Sequence, residues 1–472
     1  MRHSFHPSIL REYDIRGTVG RTLGPDDARA VGRSFGTVVR RRGGSRVAVG
    51  YDGRISSPML ETALVEGITA SGVDVVRIGL GPSPMLYFAA TPAARALTPE
   101  VQGGVHVTGS HNPPDHNGFK MILEGAPFFG ADIIDLGRIA DEGAFASGNG
   151  RVIEAESQGN SIIDAYVDCL LGALDGIDKA ALERLRIGWD AGNGAAGPVI
   201  AALTARMPGH HALLHANVDG HFPNHHPDPS VEKNLTDLRA AVVRGKLDFG
   251  LAFDGDGDRI GAVDAEGRIL WADHLLAIYA QDVLQTLPQA TIIADVKASS
   301  TLFERIAELG GRPLMWKTGH APIKSKMKEI GAPLAGEMSG HMFFADRYFG
   351  YDDALYAAMR LIAATVRSET TLGAMRDVLP QRVATPELRF AVDEARRFAA
   401  VDEVARTLAA EGIGFNATDG VRVDTSEGWW LLRASNTQDM LVVRAESTTA
   451  EGLSRLLAEV DARLAAVGLS RE

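Results

Sequence analysis

Four short runs carry side chains that could do chemistry together. Thr108-Gly109-Ser110-His111-Asn112 closes an apolar extended run at Val107, and Pro113 and Pro114 follow it. Gly109 lets the backbone turn sharply. The prolines fix φ and remove two N–H donors, so the turn cannot run on as a helix. This predicts a rigid loop that presents one hydroxyl, Ser110, with Lys120 close behind. In the second run, Asp254-Gly255-Asp256-Gly257-Asp258-Arg259, three carboxylates alternate with glycines after the apolar strand Phe249 to Phe253. Three like charges aimed at one point repel and usually need a cation. Hard oxygen donors favour Mg2+. An EF-hand is excluded, because its glycine and glutamate positions hold Arg259 and Ala265. The third run, LAGEMSGHMFF, alternates Glu337, Ser339 and His341. An extended segment would put this acceptor, hydroxyl and imidazole on one side, a set suited to sugar hydroxyls. The fourth, Arg433-Ala434-Ser435-Asn436-Thr437, ends a strand and offers a guanidinium, two hydroxyls and an amide to a phosphate.

The elements that position these runs alternate between strand and helix. RVAVGYDGR is a β-type run ending at Asp52, a helix follows from about Pro58 to Ser71, and VDVVRIG is again a strand. This spacing predicts a βαβ unit. Ser110 then sits at the carboxyl end of the strand GGVHV, where active groups of open α/β sheets are expected. VAVGYDG, RIGWDAG and FGLAFDG share a strand-then-aspartate theme and hint at repeated units. The stretch from Ala144 to Asn160, rich in Gly, Ser, Ala and Glu, reads as a boundary. Helices are expected at Pro25 to Arg42, Ile162 to Leu174, Ala272 to Leu287, Thr301 to Leu309 and Asp393 to Glu411. The hairpin GVRVDTSEGWWLLRASNT and a final amphipathic helix give the last unit an α+β character.

Some features point elsewhere. RIGWDAGNGAAGPV contains GxGxxG at Gly192, Gly194 and Gly197, between a strand and a helix, which is a dinucleotide-binding signature. Pro198 and the mid-chain position weigh against nicotinamide binding, since any strand-to-helix turn needs small residues. Asp219 to Ser230 gathers three histidines with three prolines. Metal binding is conceivable there, but a proline-fixed structural loop is favoured. Lys317, Lys324, Lys326 and Lys328 read as a solvated helix face, or as an attraction for a phosphorylated small molecule.

Composition limits the classes. The 472 residues exceed one ordinary core, so three or four domains are expected. A net charge of -12 disfavours nucleic acid. Cys169 is the one cysteine, so no intrachain disulfide is possible. The N-terminal MRHSFHPSIL lacks the apolar core of a signal peptide, and no apolar run reaches membrane-spanning length. A soluble, cytoplasmic protein that engages neither membrane nor nucleic acid is the expectation.

Assembled, these parts suit phosphoryl transfer. A free serine hydroxyl is a poor nucleophile, but a phosphoserine is a good donor once its charge is neutralised. Phosphate monoesters resist attack so strongly that catalysed rates can gain up to ~10²¹, mainly through positioning and electrostatics. A cation on Asp254, Asp256 and Asp258 would stabilise the transferring group by several kcal/mol, with Arg259 and Lys120 adding positive charge. There is no GxxxxGK[ST] and no GxSxG. A phosphatase needs no second phosphate cradle in a distant domain, whereas a mutase does.

With these residues in place, the chain resembles the α-D-phosphohexomutase family, in its bacterial phosphomannomutase/phosphoglucomutase branch. TGSHNP resembles the phosphoserine loop, DGDGDR the metal loop, GEMSGH the sugar-specificity loop and RASNT the distal phosphate loop; YDIRG, NGFK and KTGH match as well. The resemblance implies four domains around a central cleft: α/β domains with mixed sheets at 1–156, 157–268 and 269–380, and an α+β domain at 381–472. It implies Mg2+ on Ser110, Asp254, Asp256 and Asp258, with glucose or mannose 1,6-bisphosphate as activator and intermediate. Catalytic candidates are Ser110, His111, Lys120, His320, His341 and Arg16. Which of Lys120, His320 and His341 is acid or base stays open. Substrate-binding candidates are Tyr13, Arg259, Lys297, Glu337, Ser339, Arg433, Ser435, Asn436 and Thr437. Partners would be sugar phosphates, and the protein a monomer or small homo-oligomer. Phosphoglucosamine mutase is the alternative within the family.

Overall fold

The computed structural model describes residues 2–96, 99–155, 162–436 and 439–471. Three successive sheets share one plan. In the first, strand Arg46–Tyr51 lies between parallel strands Asp74–Leu80 and Gly103–Val107, and His116–Leu123 pairs antiparallel to Gly103–Val107. The second repeats this with Arg186–Asp190 between His210–Leu214 and Phe249–Phe253, and antiparallel Ile260–Asp264 outside. In the third, Thr291–Asp295 lies between Arg312–Trp316 and Leu334–Gly336, with Met342–Phe344 antiparallel. Parallel neighbours need crossovers. Helices Ser57–Ala70, Ser83–Ala89, Gly197–Thr204, Thr236–Gly245, Ser300–Glu308 and His320–Ile330 supply them.

This plan has a consequence for the site. The loop after the third strand carries Ser110 in the first domain, Asp254 in the second and Glu337 in the third. Three of the four chemical runs are therefore one topological loop, used three times. The repeat read from sequence needs correcting at one place. VAVGYDG and RIGWDAG are equivalent first strands, but FGLAFDG is the third strand of the second sheet. The counterpart in the third domain is Thr291–Asp295, hidden because Val296 rather than glycine follows Asp295.

Helix bounds lie within a few residues of expectation: Pro25–Arg41, Ser57–Ala70, Ile162–Leu171, Ala272–Thr286, Ser300–Glu308 and Glu394–Ala410. The expected linker is not all linker, since Val152–Glu154 joins the edge of the first sheet beside Asp74–Leu80. No described helix is long and apolar enough to cross a membrane.

The first three domains are tied by one apolar core. Phe88 of the first, Trp189 and Phe253 of the second and Leu276 and Tyr356 of the third belong to it. The fourth domain has its own core, where Trp430, Leu432 and Val443 of an antiparallel sheet meet Leu456 and Val460 of helix Ala450–Ala466. It is joined to the third domain by a small apolar cluster of Val296, Trp429 and Leu431 and by polar contacts. The buried Arg422 guanidinium lies 3.7 Å from the Trp429 ring centroid. It donates to the carbonyls of Val296 at 2.7 Å and Ala298 at 2.8 Å.

His106 lies wholly inside the first sheet, and neither ring nitrogen has a hydrogen-bond partner among the described residues. Burial pushes its pKa down to about 4. Between pH 6.5 and 4 the unfolded chain takes up a proton that the folded chain refuses, so stability falls as pH falls through that window. Urea unfolding at pH 7 and pH 5 should show a smaller loss for His106→Leu than for the parent chain.

Candidate active site

The serine loop is held from below. Asp52, at the end of the first strand, accepts from Gly109 N at 3.1 Å and Thr108 Oγ1 at 2.8 Å. Arg54 is fully buried and donates to four carbonyls of the loop and its exit: Ser110 at 2.7 Å, Asn112 at 2.6 Å, Pro113 at 2.5 Å and His116 at 2.9 Å. A tight turn points its carbonyls inward, and one planar guanidinium satisfies them together. Ser110 is left at φ 48, in the left-handed region that non-glycine residues rarely occupy. Such strain persists only where the surroundings impose it. Arg16 braces the outer side, donating to Gly109 O at 3.1 Å and Asn112 Oδ1 at 3.0 Å.

Across from the serine stand the three aspartates, all fully buried. Ser110 Oγ donates to Asp254 Oδ2 at 2.9 Å and lies 3.1 Å from His111 Nδ1. The other oxygen of Asp254 accepts from the backbone of Asp258 and Arg259. Lys120 donates to Asp256 at 2.7 Å and also to Asp258, and Ser83 donates to Asp256 at 2.5 Å. One oxygen each of Asp256 and Asp258 is buried without a hydrogen-bond partner among the described residues. Oxygens of all three carboxylates lie within 4.8 Å of one another. Orphaned anionic oxygens within a close carboxylate cluster are what a hard divalent cation would satisfy. Burial, with the two neighbouring carboxylates, pushes Asp254 well above the usual carboxylate range. Burial also opposes charge on Asp256, but the Lys120 ammonium outweighs it and holds that carboxyl well below the range.

The third loop departs from expectation. Glu337, Ser339 and His341 do not lie along an extended segment. Residues 337–340 form a turn, closed by Glu337 N to His341 O at 2.9 Å and relieved by Gly340 at φ 98. The three side chains therefore part company. Glu337 accepts from Gly319 N at 2.7 Å, and Ser339 is half-buried at the turn. His341 turns toward the carboxylates. Its Nε2 accepts from Arg259 Nε at 3.1 Å, and its Nδ1 lies 3.1 Å from Asp352 and 3.6 Å from Asp258. Asp352 is held in turn by Lys324 at 2.8 Å. That pairing divides the expected lysine face, because Lys324 is buried while Lys317 and Lys328 are exposed.

The distal run approaches from the fourth domain. Asn436 donates to the Tyr13 hydroxyl at 2.5 Å, and Tyr13 donates to Thr318 O at 2.9 Å. Arg433 donates to Asp419 at 3.0 Å, and Asp419 also accepts from Thr318 N at 3.0 Å. Tyr13, His320 and His341 form a chain of ring contacts at 6.3 and 5.9 Å. Burial beside Lys324 pushes His320 well below the usual imidazole range. Ser435 is buried, and its carbonyl accepts from Arg397 at 3.0 Å. Lys297 is ion-paired with Glu387 at 2.7 Å and Asp295 at 3.4 Å. Thr437 lies outside the described residues. Residues from all four domains thus face one region.

Sequence reasoning missed Asp52, Arg54, Ser83, Asp352 and Asp419 as parts of this site. Asp52 and Arg54 were visible only as the end of the run RVAVGYDGR, and Ser83, Asp352 and Asp419 sit in no recognisable run. The rival motif resolves structurally. The N–H groups of Gly192, Asn193, Gly194 and Ala195 bond to Asp190, His215 O, Ala191 O and Gly255 O, so they do not cradle a pyrophosphate. A Cβ at Gly197 would lie 2.0 Å from Ala216 O, and one at Gly194 2.8 Å from Gly255 O. These glycines serve close packing, Gly194 against the carboxylate loop, Gly197 against Ala216 and Gly192 against Pro227.

Fold and site together are those of a multidomain phosphosugar enzyme, and comparison with known proteins agrees. Phosphoglucomutase/phosphomannomutase profiles match in order: alpha/beta/alpha domain I at 7–146, domain II at 164–267, domain III at 271–383 and the C-terminal domain at 387–463. The chain belongs to this family. It is 42% identical over 449 residues to a phosphomannomutase/phosphoglucomutase of Pseudomonas aeruginosa, spanning 95% of this chain and 94% of that one. A phosphoglucomutase of Neisseria meningitidis is also 42% identical, over 95% of both chains. A solved family protein from Burkholderia thailandensis superimposes with a TM-score of 0.90 at 41% identity, over 98% of each chain.

Arg54→Met should leave Asp52 buried without its counter-charge and the turn carbonyls unpaired. Breaking a buried pair in this way costs about 3–5 kcal/mol, which urea unfolding would register as a lowered midpoint at unchanged slope.

Proposed function

We propose that this protein interconverts hexose 1-phosphates and hexose 6-phosphates through a phosphoserine at Ser110. The observation that carries this is the 2.9 Å contact between Ser110 Oγ and Asp254, made between loops of different domains. One sugar hydroxyl attacks the phosphorus of phosphoserine, the P–Oγ bond breaks, and a sugar bisphosphate forms. After the bisphosphate turns end over end, Ser110 Oγ takes its other phosphoryl group. The serine is restored to its phosphorylated form and a monophosphate leaves.

The residues divide this work. Arg54 and Asp52 hold the serine turn. Lys120 keeps its proton, because Asp256 and Asp258 outweigh the burial that opposes its charge. It therefore serves as a fixed positive charge and a poor base. His320 is neutral, and its Nδ1 is buried without a hydrogen-bond partner among the described residues, so we assign it the hydroxyl proton in the first transfer. His341 is engaged by Arg259 and Asp352, and we assign it the placing of Arg259. Arg433, Ser435, Asn436 and Thr437 would hold the far phosphate, and Tyr13, Lys297, Glu337 and Ser339 the sugar end. Asp254, Asp256 and Asp258, with an oxygen on Ser110, would hold Mg2+. When bound, that ion would neutralise charge on the transferring group.

Intact mass of the purified protein should rise by one phosphoryl group on adding glucose 1,6-bisphosphate. Ser110→Ala should show no rise and no turnover; a rise in that variant would refute the assignment.

Mannose and glucose differ at C2, and contacts through Glu337 and Ser339 to hydroxyls common to both would accept either. The ratio of kcat/KM for mannose 1-phosphate and glucose 1-phosphate should stay within roughly 10³.

A further inference from the structure

A second group of ligand-type side chains lies apart from the three carboxylates. Asp190 ends the first strand of the second domain and is fully buried. His225 belongs to the proline-rich loop and His215 to the end of the neighbouring strand, and both are partly buried. One donor atom from each of the three lies within 4.8 Å of the other two. We propose that Asp190, His215 and His225 bind a divalent transition cation of the zinc type, at a site separate from the hard-cation loop.

The hydrogen bonds set the lone pairs. His225 Nδ1 lies 3.0 Å from His226 O. A carbonyl only accepts, so Nδ1 carries the hydrogen and a neutral ring has its lone pair on Nε2. That Nε2 lies 3.0 Å from Asp190 Oδ2. Two lone pairs facing each other repel unless a positive centre, a second ring proton or a metal ion, sits between them. His215 Nε2 lies 3.2 Å from Asp237 Oδ2. The carboxylate only accepts, so the neutral ring of His215 has its lone pair on Nδ1. Each histidine is thus oriented by an outer acceptor, one a carbonyl and the other a carboxylate, the usual arrangement of metal-bound imidazoles. The rings stand nearly perpendicular, at 78° with centroids 5.3 Å apart. Ligand atoms about 2 Å from a tetrahedral ion lie roughly 3.3 Å apart, so drawing in donor atoms that lie within 4.8 Å of one another would complete the site. His215 is also held at φ 48, a strained conformation that suits a residue fixed by more than its own chain.

Two imidazoles and one carboxylate select zinc over Mg2+, which prefers an all-oxygen shell. Three protein ligands leave a fourth position for solvent. An ion here would tie the strand end to the proline-rich loop. The neighbouring residue in that loop, His226, bonds through Nε2 to the carbonyl of His111 beside the catalytic serine. The site would therefore stiffen the support of the serine loop without touching substrate.

The full chain, stripped with chelator and dialysed against ZnCl2 in excess MgCl2, tests this. Elemental analysis should give one zinc per chain, and Co2+ in its place should give the visible bands of a four-coordinate ion. His215→Gln and His225→Gln should bind zinc at least tenfold more weakly, whereas Asp254→Asn should retain it. His215 is the less embedded of the two, so His215→Gln should keep its metal-free melting temperature and lose only the zinc-induced rise. A parent chain that holds no zinc, a folded His215→Gln that holds it within tenfold of the parent, or loss only in Asp254→Asn would each overturn the proposal. In the first outcome His225 and Asp190 form an imidazolium–carboxylate pair, and in the last zinc lodges in the carboxylate loop.

Discussion

Three aspartates brought to one buried point repel, and much of the molecule can be understood as the means of making that tolerable. Burying charge is costly unless each ion is paired. Lys120 is delivered to the cluster by the strand that leaves the serine loop. Ser83 comes from the N-terminus of a short crossover helix, and the backbone N–H groups of Asp258 and Arg259 bend back to Asp254. Even so, one oxygen on Asp256 and another on Asp258 find no hydrogen-bond partner among the described residues. A buried ion pair is weak ground for stability, but an incompletely balanced one creates a standing affinity for a cation. The buried serine donates to Asp254 at that imbalance, and a phosphoryl group on it would be repelled by the carboxylates until a cation neutralised them.

The repeated four-strand plan explains how three domains contribute equivalent loops. In each, the loop leaves the carboxyl end of the third strand and turns back into an antiparallel fourth. Adjacent to it, the first strand ends in an aspartate that can accept from a loop N–H. Asp52 does this for Gly109, and Asp295, at 3.4 Å, for Met338. In the second domain Asp190 instead serves Gly192 and His225. One geometry has thus been given a hydroxyl, a carboxylate cluster and a turn that carries Glu337 and Ser339. The shared apolar core fixes these three loops relative to one another, because close-packed interiors deform little. The fourth domain, with its own core, is held through Arg422, Arg444 and Glu446 to the segment around Lys297. A small apolar cluster of Val296, Trp429 and Leu431 accompanies these polar contacts, and it is far smaller than the core that the first three domains share.

What the sequence determined by itself is considerable. The turn chemistry of Gly109 and the prolines, the Gly-spaced carboxylates, and apolar runs of strand length are local properties, and they placed the loops at strand ends. Helix bounds followed to within a few residues because amphipathic periodicity and caps are also local. What only the tertiary structure decided concerns pairing. GEMSGH alternates like a strand, yet Gly340 permits a turn, and His341 finds Arg259 and Asp352 instead of a sugar face. The glycines of GxGxxG serve packing, and Gly194 meets Gly255, 61 residues distant in sequence. Arg54, Asp352 and Asp419 stand in no motif, because a guanidinium or carboxylate acquires its role from the partner it meets. The types of side chain and the sharp turns that carry them were written along the chain; which charge neutralises which was fixed when distant strands came side by side, since electrostatic pairing depends on distance through space and on burial.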